Sequence, residues 1–244
     1  MNKTQAWYEA SNRTWGQVLA ESVARIPEQD IVVYGAHRLT YGQFYKKVQA
    51  FASALLKLGV SRDEHTSIWM TNCVEWMVAQ FSAYEIGSPL VPINTRMTTD
   101  EVTYSLKQSD ASTLIVGSRF IGPPENGLER LQALIPEAFE QDRDKLNCKK
   151  LPRLRRIIYL GDVSDTPRGA YSFHEVLDSG TEVPSDVRNS VKPSDVCNLI
   201  YTSGTTGFPK GGMSMHRNNL AAMGAWIKRA DLRQGDRMYL GVPF

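Results

Sequence analysis

The chain has 244 residues, of which 42% are apolar and 22% charged, and its formal net charge is +2. This composition is typical of a globular domain, the charge gives no reason to expect a nucleic-acid partner, and no apolar run approaches the roughly 18 residues of a membrane span. The first residues lack a signal-peptide pattern and the 3 cysteines lack zinc-site spacing, so we expect a cytoplasmic protein and assign it no metal ligand.

Helix-like and strand-like segments alternate from Thr40 onward. Thr40 and Gln43 form a capping box, and apolar residues then recur at helical spacing up to Gly59. The further predicted segments are a strand at 66–70, a helix from Asn72 to Gly87, a strand at 89–93, a helix from Thr98, and strands at 113–116 and 156–160. This alternation predicts an α/β fold with a layered, largely parallel sheet flanked by helices.

Residues 117–152 interrupt the alternation, and their mostly polar helix candidate at 125–141 indicates a surface excursion between sheet elements. Residues 164–193 are predicted to be mostly loop, with one short helix near His174. A basic cluster precedes the strand at 156–160 and consists of Lys149, Lys150, Arg153, Arg155 and Arg156. We interpret it as a solvated edge rather than a polyanion site, because no aromatic residue before Tyr159 offers a base a stacking partner.

An apolar strand that ends at Tyr201 leads into the segment 202–212, Thr-Ser-Gly-Thr-Thr-Gly-Phe-Pro-Lys-Gly-Gly. Its glycines allow close approach of a ligand, its hydroxyls and successive N–H groups suit an anion, and Lys210 adds a cation for the far end of a triphosphate. The pattern predicts a polyphosphate-binding loop, and a Ser/Thr/Gly turn without ligand is the alternative. The loop differs from that of P-loop ATPases, because Lys210 follows Phe208-Pro209 instead of standing in Gly-Lys-Ser/Thr.

The run 201–211 resembles the signature loop of the AMP-binding, adenylate-forming superfamily. That superfamily comprises acyl-CoA synthetases, the adenylation domains of peptide synthetases and firefly luciferase. Further segments that resemble family landmarks are 39–41, Trp76, 90–94, 154–161 and 216–219. Asn-Thr-Arg at 94–96, where peptide-synthetase domains typically read Asp-Pro, is similar to the acyl-CoA synthetases of fatty or other carboxylic acids.

The resemblance implies an AMP-forming acid–thiol ligase that uses ATP, Mg²⁺ and coenzyme A. In that reaction a carboxylate attacks the α-phosphate of ATP, pyrophosphate leaves, and the coenzyme A thiol then displaces AMP to give a thioester. By similarity Lys210 is the catalytic residue of this chain, because it offsets charge on the departing pyrophosphate. By the same similarity the residues that bind the phosphates are Thr202, Ser203, Gly204, Thr205, Thr206, Gly207 and Lys210.

The resemblance also implies that residues 1–244 are a partial N-terminal domain, without the rest of that domain and without the C-terminal domain that carries another catalytic lysine. We hypothesise that residues 1–244 alone do not adenylate a substrate. The last residues are expected to form an apolar strand whose edge is covered by the missing portion or by a second chain. The alternatives are a non-catalytic nucleotide-binding or split-enzyme module and, less in keeping with the loop spacing, a P-loop kinase or ATPase.

Three further residues have an expected place. His216 is interpreted as an anchor for the helix that follows it, with a place in the acyl or nucleotide pocket as the alternative, because its spacing shows no metal or nucleophile partner. Trp69 and Trp76 are expected to fill the core between helix and sheet.

Overall fold

A computed structural model describes residues 12–120, 125–202 and 209–242. The strands are β1 Asp30–Tyr34, β2 His37–Thr40, β3 Thr66–Trp69, β4 Leu90–Pro92, β5 Thr113–Gly117, β6 Arg156–Leu160, β7 Tyr171–Ser172, β8 Val196–Thr202 and β9 Lys210–Met215. The helices are α1 Trp15–Arg25, α2 Tyr41–Lys57, α3 Val74–Glu85, α4 Thr99–Gln108, α5 Gly127–Leu134, α6 Glu137–Glu140, α7 Phe173–Asp178, α8 Ser185–Ser190 and α9 His216–Arg229. Short 3₁₀ turns lie at Arg143–Lys145 and Val163–Asp165.

The main sheet confirms the predicted α/β class. Within the described residues it has seven strands in the order β7-β6-β5-β3-β4-β8-β9, and β1 and β2 form a separate antiparallel pair. Every neighbouring pair in the main sheet is parallel except β8–β9, which is an antiparallel hairpin. Parallel pairing requires crossovers, and helices supply them except between β6 and β7, where the connection contains a short 3₁₀ turn.

The two faces of the sheet carry separate hydrophobic clusters, because successive strand residues point to opposite sides. Ile68 of β3 packs with α2, α3 and α7 on one face. Trp69, the next residue, packs with α4, α5 and α6 on the other. Trp69 is 1% exposed and Trp76 5% exposed, so the prediction that both tryptophans fill core is confirmed. The domain therefore has three layers, helix, sheet and helix.

Two of the predicted helix starts are confirmed by their capping boxes. The Thr40 side chain accepts a hydrogen bond from the backbone N–H of Gln43, and the Thr98 side chain accepts one from the backbone N–H of Glu101. In each case the Gln43 or Glu101 side chain accepts a hydrogen bond from the backbone N–H of the cap residue. The predicted start at Asn72 is wrong, because Cys73 is the cap of α3 and its Sγ accepts from the backbone N–H of Trp76 at 3.4 Å. Thiols are weak acceptors, so the usual cap preferences do not indicate this residue.

The prediction of a surface excursion at 117–152 is wrong. Pro136 divides the polar candidate helix into α5 and α6, and their apolar residues, among them Leu131 and Leu134, are buried against the second face of the sheet. A narrow apolar stripe suffices to dock a helix even when most of its residues are charged. Gly127 allows α5 to begin against β5, since a Cβ there would lie 1.9 Å from the carbonyl oxygen of Gly117.

Two other expectations need correction. The short helix near His174 is present as α7, but the loop-rich segment also contains α8. Residues 238–242 form no strand among the described residues, and the edge strand of the sheet there is β9. Tyr239 is 93% exposed, so the apolar sequence that suggested a strand has no described partner to pair with. None of the described helices has the length and apolar character that crossing a membrane requires.

Candidate functional site

The segment predicted to bind phosphate joins the two strands of the β8–β9 hairpin. Thr202 pairs with Lys210 and Tyr201 with Gly211 at the loop end of this hairpin. The side chains of Thr202 and Lys210 are exposed, and the Thr202 hydroxyl donates to the carbonyl of Lys210 at 3.5 Å. The structure thus brings together the two outer residues of the predicted site. The inner predicted residues, Ser203, Gly204, Thr205, Thr206 and Gly207, lie outside the described residues.

This hairpin end lies at the edge of the sheet where β3, β4 and β8 have their carboxyl ends. A cavity of about 800 Å³ opens there, lined in part by Met70 after β3, Ile93 after β4 and Ile200 of β8. Crevices at the carboxyl ends of parallel strands are the usual ligand sites of open α/β sheets. The position of the hairpin is therefore the one expected of a ligand-binding element.

Two arginines give this cavity a positive character. Arg96 follows β4, Arg119 follows β5, and both are exposed residues in the lining. Neither forms an ion pair with another side chain in the part of the chain that the structure describes. Exposed guanidinium groups suit carboxylate or phosphate, which they bind through two parallel hydrogen bonds. Sequence reasoning missed both arginines as site residues, because only the fold brings these loops together.

The segment that carries Arg96 is held in a fixed shape. The Asn94 side chain accepts from the backbone N–H of Arg96 at 2.9 Å, and the guanidinium of Arg130 in α5 donates to the carbonyl of Thr95 at 2.8 Å. Arg130 is itself buried beneath the Phe120 ring, at 4.6 Å from its centre. Burial lowers the pKa of Arg130 from its usual value. The Asn-Thr-Arg segment is thus a preorganised rim of the cavity.

A neighbouring cavity of about 810 Å³ is more acidic, although Arg119 lines both cavities. It lies at the carboxyl ends of β5 and β6, and its lining includes the carboxylates of Glu75, Glu125, Asp162 and Asp165. Such a group of acids repels a polyphosphate. The cavity beside the hairpin is therefore the better candidate for an anionic ligand.

His216 is the first residue of α9 and does not line the candidate cavity. It is 1% exposed, and its Nδ1 accepts from the backbone N–H of Trp15 at 3.3 Å, with the Tyr84 ring packed edge-on against it. Burial lowers the pKa of His216 to about 4, against a small opposing effect of Asp195. A neutral, buried imidazole that accepts from a backbone amide supports the interpretation of His216 as an anchor.

Other side chains fasten the base of the hairpin to its surroundings. Asn219 of α9 donates to the Cys197 sulfur at 3.1 Å and to the Ser214 hydroxyl at 3.0 Å, which joins α9 to both strands. The Tyr84 hydroxyl donates to the Asn198 side chain at 2.9 Å and so ties α3 to β8. These residues were not predicted, since their partners are distant in sequence or lie across a turn. Of these residues, Asn219 alone lies in a segment noted from the sequence, the family-like His-Arg-Asn-Asn at 216–219.

Comparison with known proteins decides the family. The sequence profile described as AMP-binding enzyme matches residues 19–244. The chain belongs to the AMP-binding family. In sequence it is 34% identical over 240 residues to the "Putative acyl-CoA synthetase YngI" of Bacillus subtilis (strain 168), covering 97% of this chain and 43% of that protein. It is 27% identical over 212 residues to the mitochondrial medium-chain acyl-CoA ligase ACSF2 of Danio rerio, covering 84% and 34%.

Solved structures agree on the fold of this AMP-binding chain. The inhibitor-bound N-terminal domain of FACL13 from Mycobacterium tuberculosis superposes with a TM-score of 0.76 at 25% identity, covering 95% of this chain and 51% of that one. The chain thus has the fold of the N-terminal domain of adenylate-forming enzymes, as predicted. It spans less than half of the length of the curated relatives named above, 43% of one and 34% of the other.

Proposed function

We propose that this chain is the N-terminal, nucleotide-binding portion of an AMP-forming acid–thiol ligase. The whole enzyme activates a carboxylic acid, a fatty or related acid, to an acyl-adenylate and then transfers the acyl group to coenzyme A. The observation that carries the proposal is the position of Thr202 and Lys210 at the loop end of a hairpin, beside a cavity with arginines at its rim. The acyl-CoA synthetases among the relatives support the reaction class. We place the enzyme in the cytoplasm.

In this proposal the segment from Thr202 to Lys210 holds the β- and γ-phosphates of ATP. Hydroxyl groups and backbone N–H groups would donate to the phosphate oxygens, and Lys210 would offset charge as pyrophosphate departs. Donors that are fixed before the reaction stabilise that charge without further reorganisation. Lys210 is exposed, so its ammonium group is accessible to a ligand at this end of the hairpin.

Mg²⁺ would enter with the phosphates of ATP. Among the described residues no group of three or more acidic, histidine or cysteine side chains could hold a metal ion. The lining of the candidate cavity contains arginines and no carboxylate within that described part. Mg²⁺ keeps several waters and commonly binds through substrate phosphates with one or two carboxylates, so the described residues do not form a magnesium site of their own.

The candidate cavity also suits the other two substrates. Its apolar walls, among them Met70, Trp76 and Ile93, would pack against an acyl chain, and burial of such a chain contributes about 0.8 kcal/mol per CH₂ group. Arg96 and Arg119 would attract the carboxylate of the acid or the phosphates of coenzyme A. The cavity therefore offers both an apolar and a cationic surface, as an acyl-CoA ligase requires.

A second polypeptide portion is proposed to cover the far edge of the sheet. Met213 of β9 is 73% exposed, and Met223, Trp226 and Ile227 form an exposed apolar stripe along α9. Exposed apolar patches on edge strands and helices are typical of interaction surfaces. We assign this surface to the remainder of the same enzyme, because the relatives are more than twice as long as the segments they share with this chain. A separate partner chain, as in a split enzyme, is the alternative.

The test is carboxylate-dependent exchange of pyrophosphate into ATP by the protein as its gene encodes it, over a panel of fatty and aromatic acids, followed by coenzyme A-dependent release of AMP. The proposal predicts exchange with at least one acid and thioester formation with coenzyme A. It predicts no exchange for residues 1–244 alone. ATP hydrolysis without any carboxylic acid would contradict the proposed ligase activity. Nucleotide binding without exchange, together with a bound partner chain, would favour the non-catalytic or split-enzyme module.

A further inference from the structure

Helix α4 contacts both ends of the predicted phosphate loop. The Tyr104 hydroxyl donates to the carbonyl of Pro209, the residue before Lys210, at 3.1 Å. The Tyr201 hydroxyl, just before Thr202, lies 3.1 Å from the carbonyl of Ser105 and also bonds the side chain of Gln108. One face of a single helix therefore holds the chain where the loop begins and where it ends.

These contacts matter because β9 makes few other contacts near the loop end of the hairpin among the described residues. In the described sheet β9 is an edge strand with β8 on one side only. Its first residues are the exposed Lys210 followed by Gly211 and Gly212, which have no side chains to pack. Pro209 has no N–H to donate. Among the described residues, the peptide joining Pro209 to Lys210 is held by the side-chain bond from Tyr104 and by the pairing of Lys210 with Thr202.

The Tyr201 contact fixes the other end in a similar way. Tyr201 is half-buried, and burial raises the pKa of its hydroxyl from the usual value. The hydroxyl is protonated at neutral pH, as tyrosine hydroxyls ordinarily are, and donates to the carbonyl of Ser105. Gly211 stands opposite Tyr201 in the hairpin, and a Cβ at Gly211 would lie 3.3 Å from the Gln108 side chain and 3.4 Å from the Tyr201 ring. The close fit leaves this end of the hairpin little room to shift.

We propose that Tyr104 is a positioning residue for Lys210, and that α4 fixes, from outside the nucleotide site, the two flanking residues Tyr201 and Pro209. The inference rests on the proposed function for its catalytic consequence. Tyr104 acts through the Pro209–Lys210 peptide and does not itself touch the substrate. Displacement of a catalytic group by about 1 Å costs on the order of 10²-fold in rate, so loss of the Tyr104 hydroxyl should have a measurable effect.

The experiment compares Tyr104→Phe with Tyr171→Phe in the protein as its gene encodes it. Both variants remove one tyrosine hydroxyl and keep the ring, but the Tyr171 hydroxyl bonds Asp144 at 2.7 Å at the opposite edge of the sheet. At saturating ATP and acid, Tyr104→Phe is expected to lower the rate of pyrophosphate exchange roughly 3- to 30-fold. Tyr171→Phe is expected to leave that rate unchanged, and the thermal midpoints of the two variants should agree.

A double-mutant cycle with Lys210→Ala separates positioning from general support. If Tyr104 acts through Lys210, Tyr104→Phe causes no further loss of rate once Lys210 is absent. Hydrogen exchange without nucleotide gives a readout independent of activity, and amides 210–213 should exchange faster in Tyr104→Phe than in Tyr171→Phe. Equal exchange at these amides would overturn the inference, as would the same rate loss with and without Lys210. A wild-type protein without pyrophosphate exchange overturns the proposed function instead, and hydrogen exchange alone then decides the positioning role.

Discussion

In the middle of the sheet, strands such as β3 and β5 have neighbours on both sides and are buried on both faces, whereas β9 has one neighbour and exposes Lys210, Gly212 and Met213. The central strands hold the two hydrophobic clusters together. The hairpin adds little to those clusters and is held by a small set of polar contacts from α3, α4 and α9. If the proposed site is right, stability and ligand binding lie in different parts of one sheet, and mutations should separate them.

Phe51→Ala in α2 should cause the largest loss of stability. The ring is fully buried and stacks on Phe173 with centres 4.3 Å apart. We expect the free energy of unfolding to fall by about 3–5 kcal/mol, measured by urea denaturation followed by circular dichroism. Val163→Ala on an exposed 3₁₀ turn is the control and should change it by less than about 0.5 kcal/mol. A similar small change in both variants would show that the clusters do not dominate stability.

Lys210→Ala should lower the reaction rate and leave stability nearly unchanged, the reverse of Phe51→Ala. Its side chain is exposed, so the thermal midpoint should stay near that of the wild type. If Lys210 stabilises the departing pyrophosphate, the adenylation rate should fall about 10²–10³-fold, measured in single turnovers of the complete enzyme. Binding of the carboxylic acid, measured separately by calorimetry, should weaken far less. Equal losses in rate and in acid binding would remove the catalytic role assigned to Lys210.

His216 should make stability depend on pH. Burial lowers its pKa from 6.5 in the unfolded chain to about 4 in the folded protein, so the unfolded state binds more protons between these values. Stability from this residue is therefore complete above pH 6.5 and declines as the pH falls towards 4, by about 2–3 kcal/mol. Urea denaturation across this range should show a flatter profile for His216→Gln than for the wild type. The exposed His174→Gln should keep the wild-type profile, and an unchanged profile in both variants would contradict the buried, neutral state of His216.

Asn219→Ala should have the smallest of these effects. It removes the hydrogen bonds that Asn219 makes to Cys197 and Ser214 at the base of the hairpin. We expect about 1 kcal/mol less stability and faster hydrogen exchange in β8 and β9 than in β5. Asn218→Ala alters the exposed neighbouring residue and is the matched control. Uniform loosening of the whole sheet would argue that hairpin and centre behave as one unit.

The sequence predicted the parts of the fold that rest on local chemistry. The capping boxes at Thr40 and Thr98 and the buried strands depend on residues a few positions apart, and they are confirmed. The thiol cap at Cys73 and the buried stripe of α5 were missed, because the first uses a weak acceptor and the second lies among charged residues. Rules based on residues a few positions apart predict neither the thiol cap nor the buried stripe.

Less of the candidate site could be predicted. The sequence predicted a phosphate-binding segment, and the structure places its outer residues Thr202 and Lys210 together at the loop end of one hairpin. The bond from Tyr104 to Pro209 joins residues 105 positions apart, and the cavity is lined by six separate segments of the chain. Such partners follow from the strand order, in which β4 lies beside β8 despite a long separation in sequence.

The most direct test of the site is hydrogen exchange of the protein, as its gene encodes it, with and without MgATP. The account predicts that added ATP protects peptides covering residues 201–212 and leaves those covering 159–165, at the acidic cavity, unchanged. Protection should weaken in Lys210→Ala. Protection at 159–165 without protection at 201–212, or no protection in either segment at saturating ATP, would contradict the placement of the nucleotide phosphates at the end of the β8–β9 hairpin.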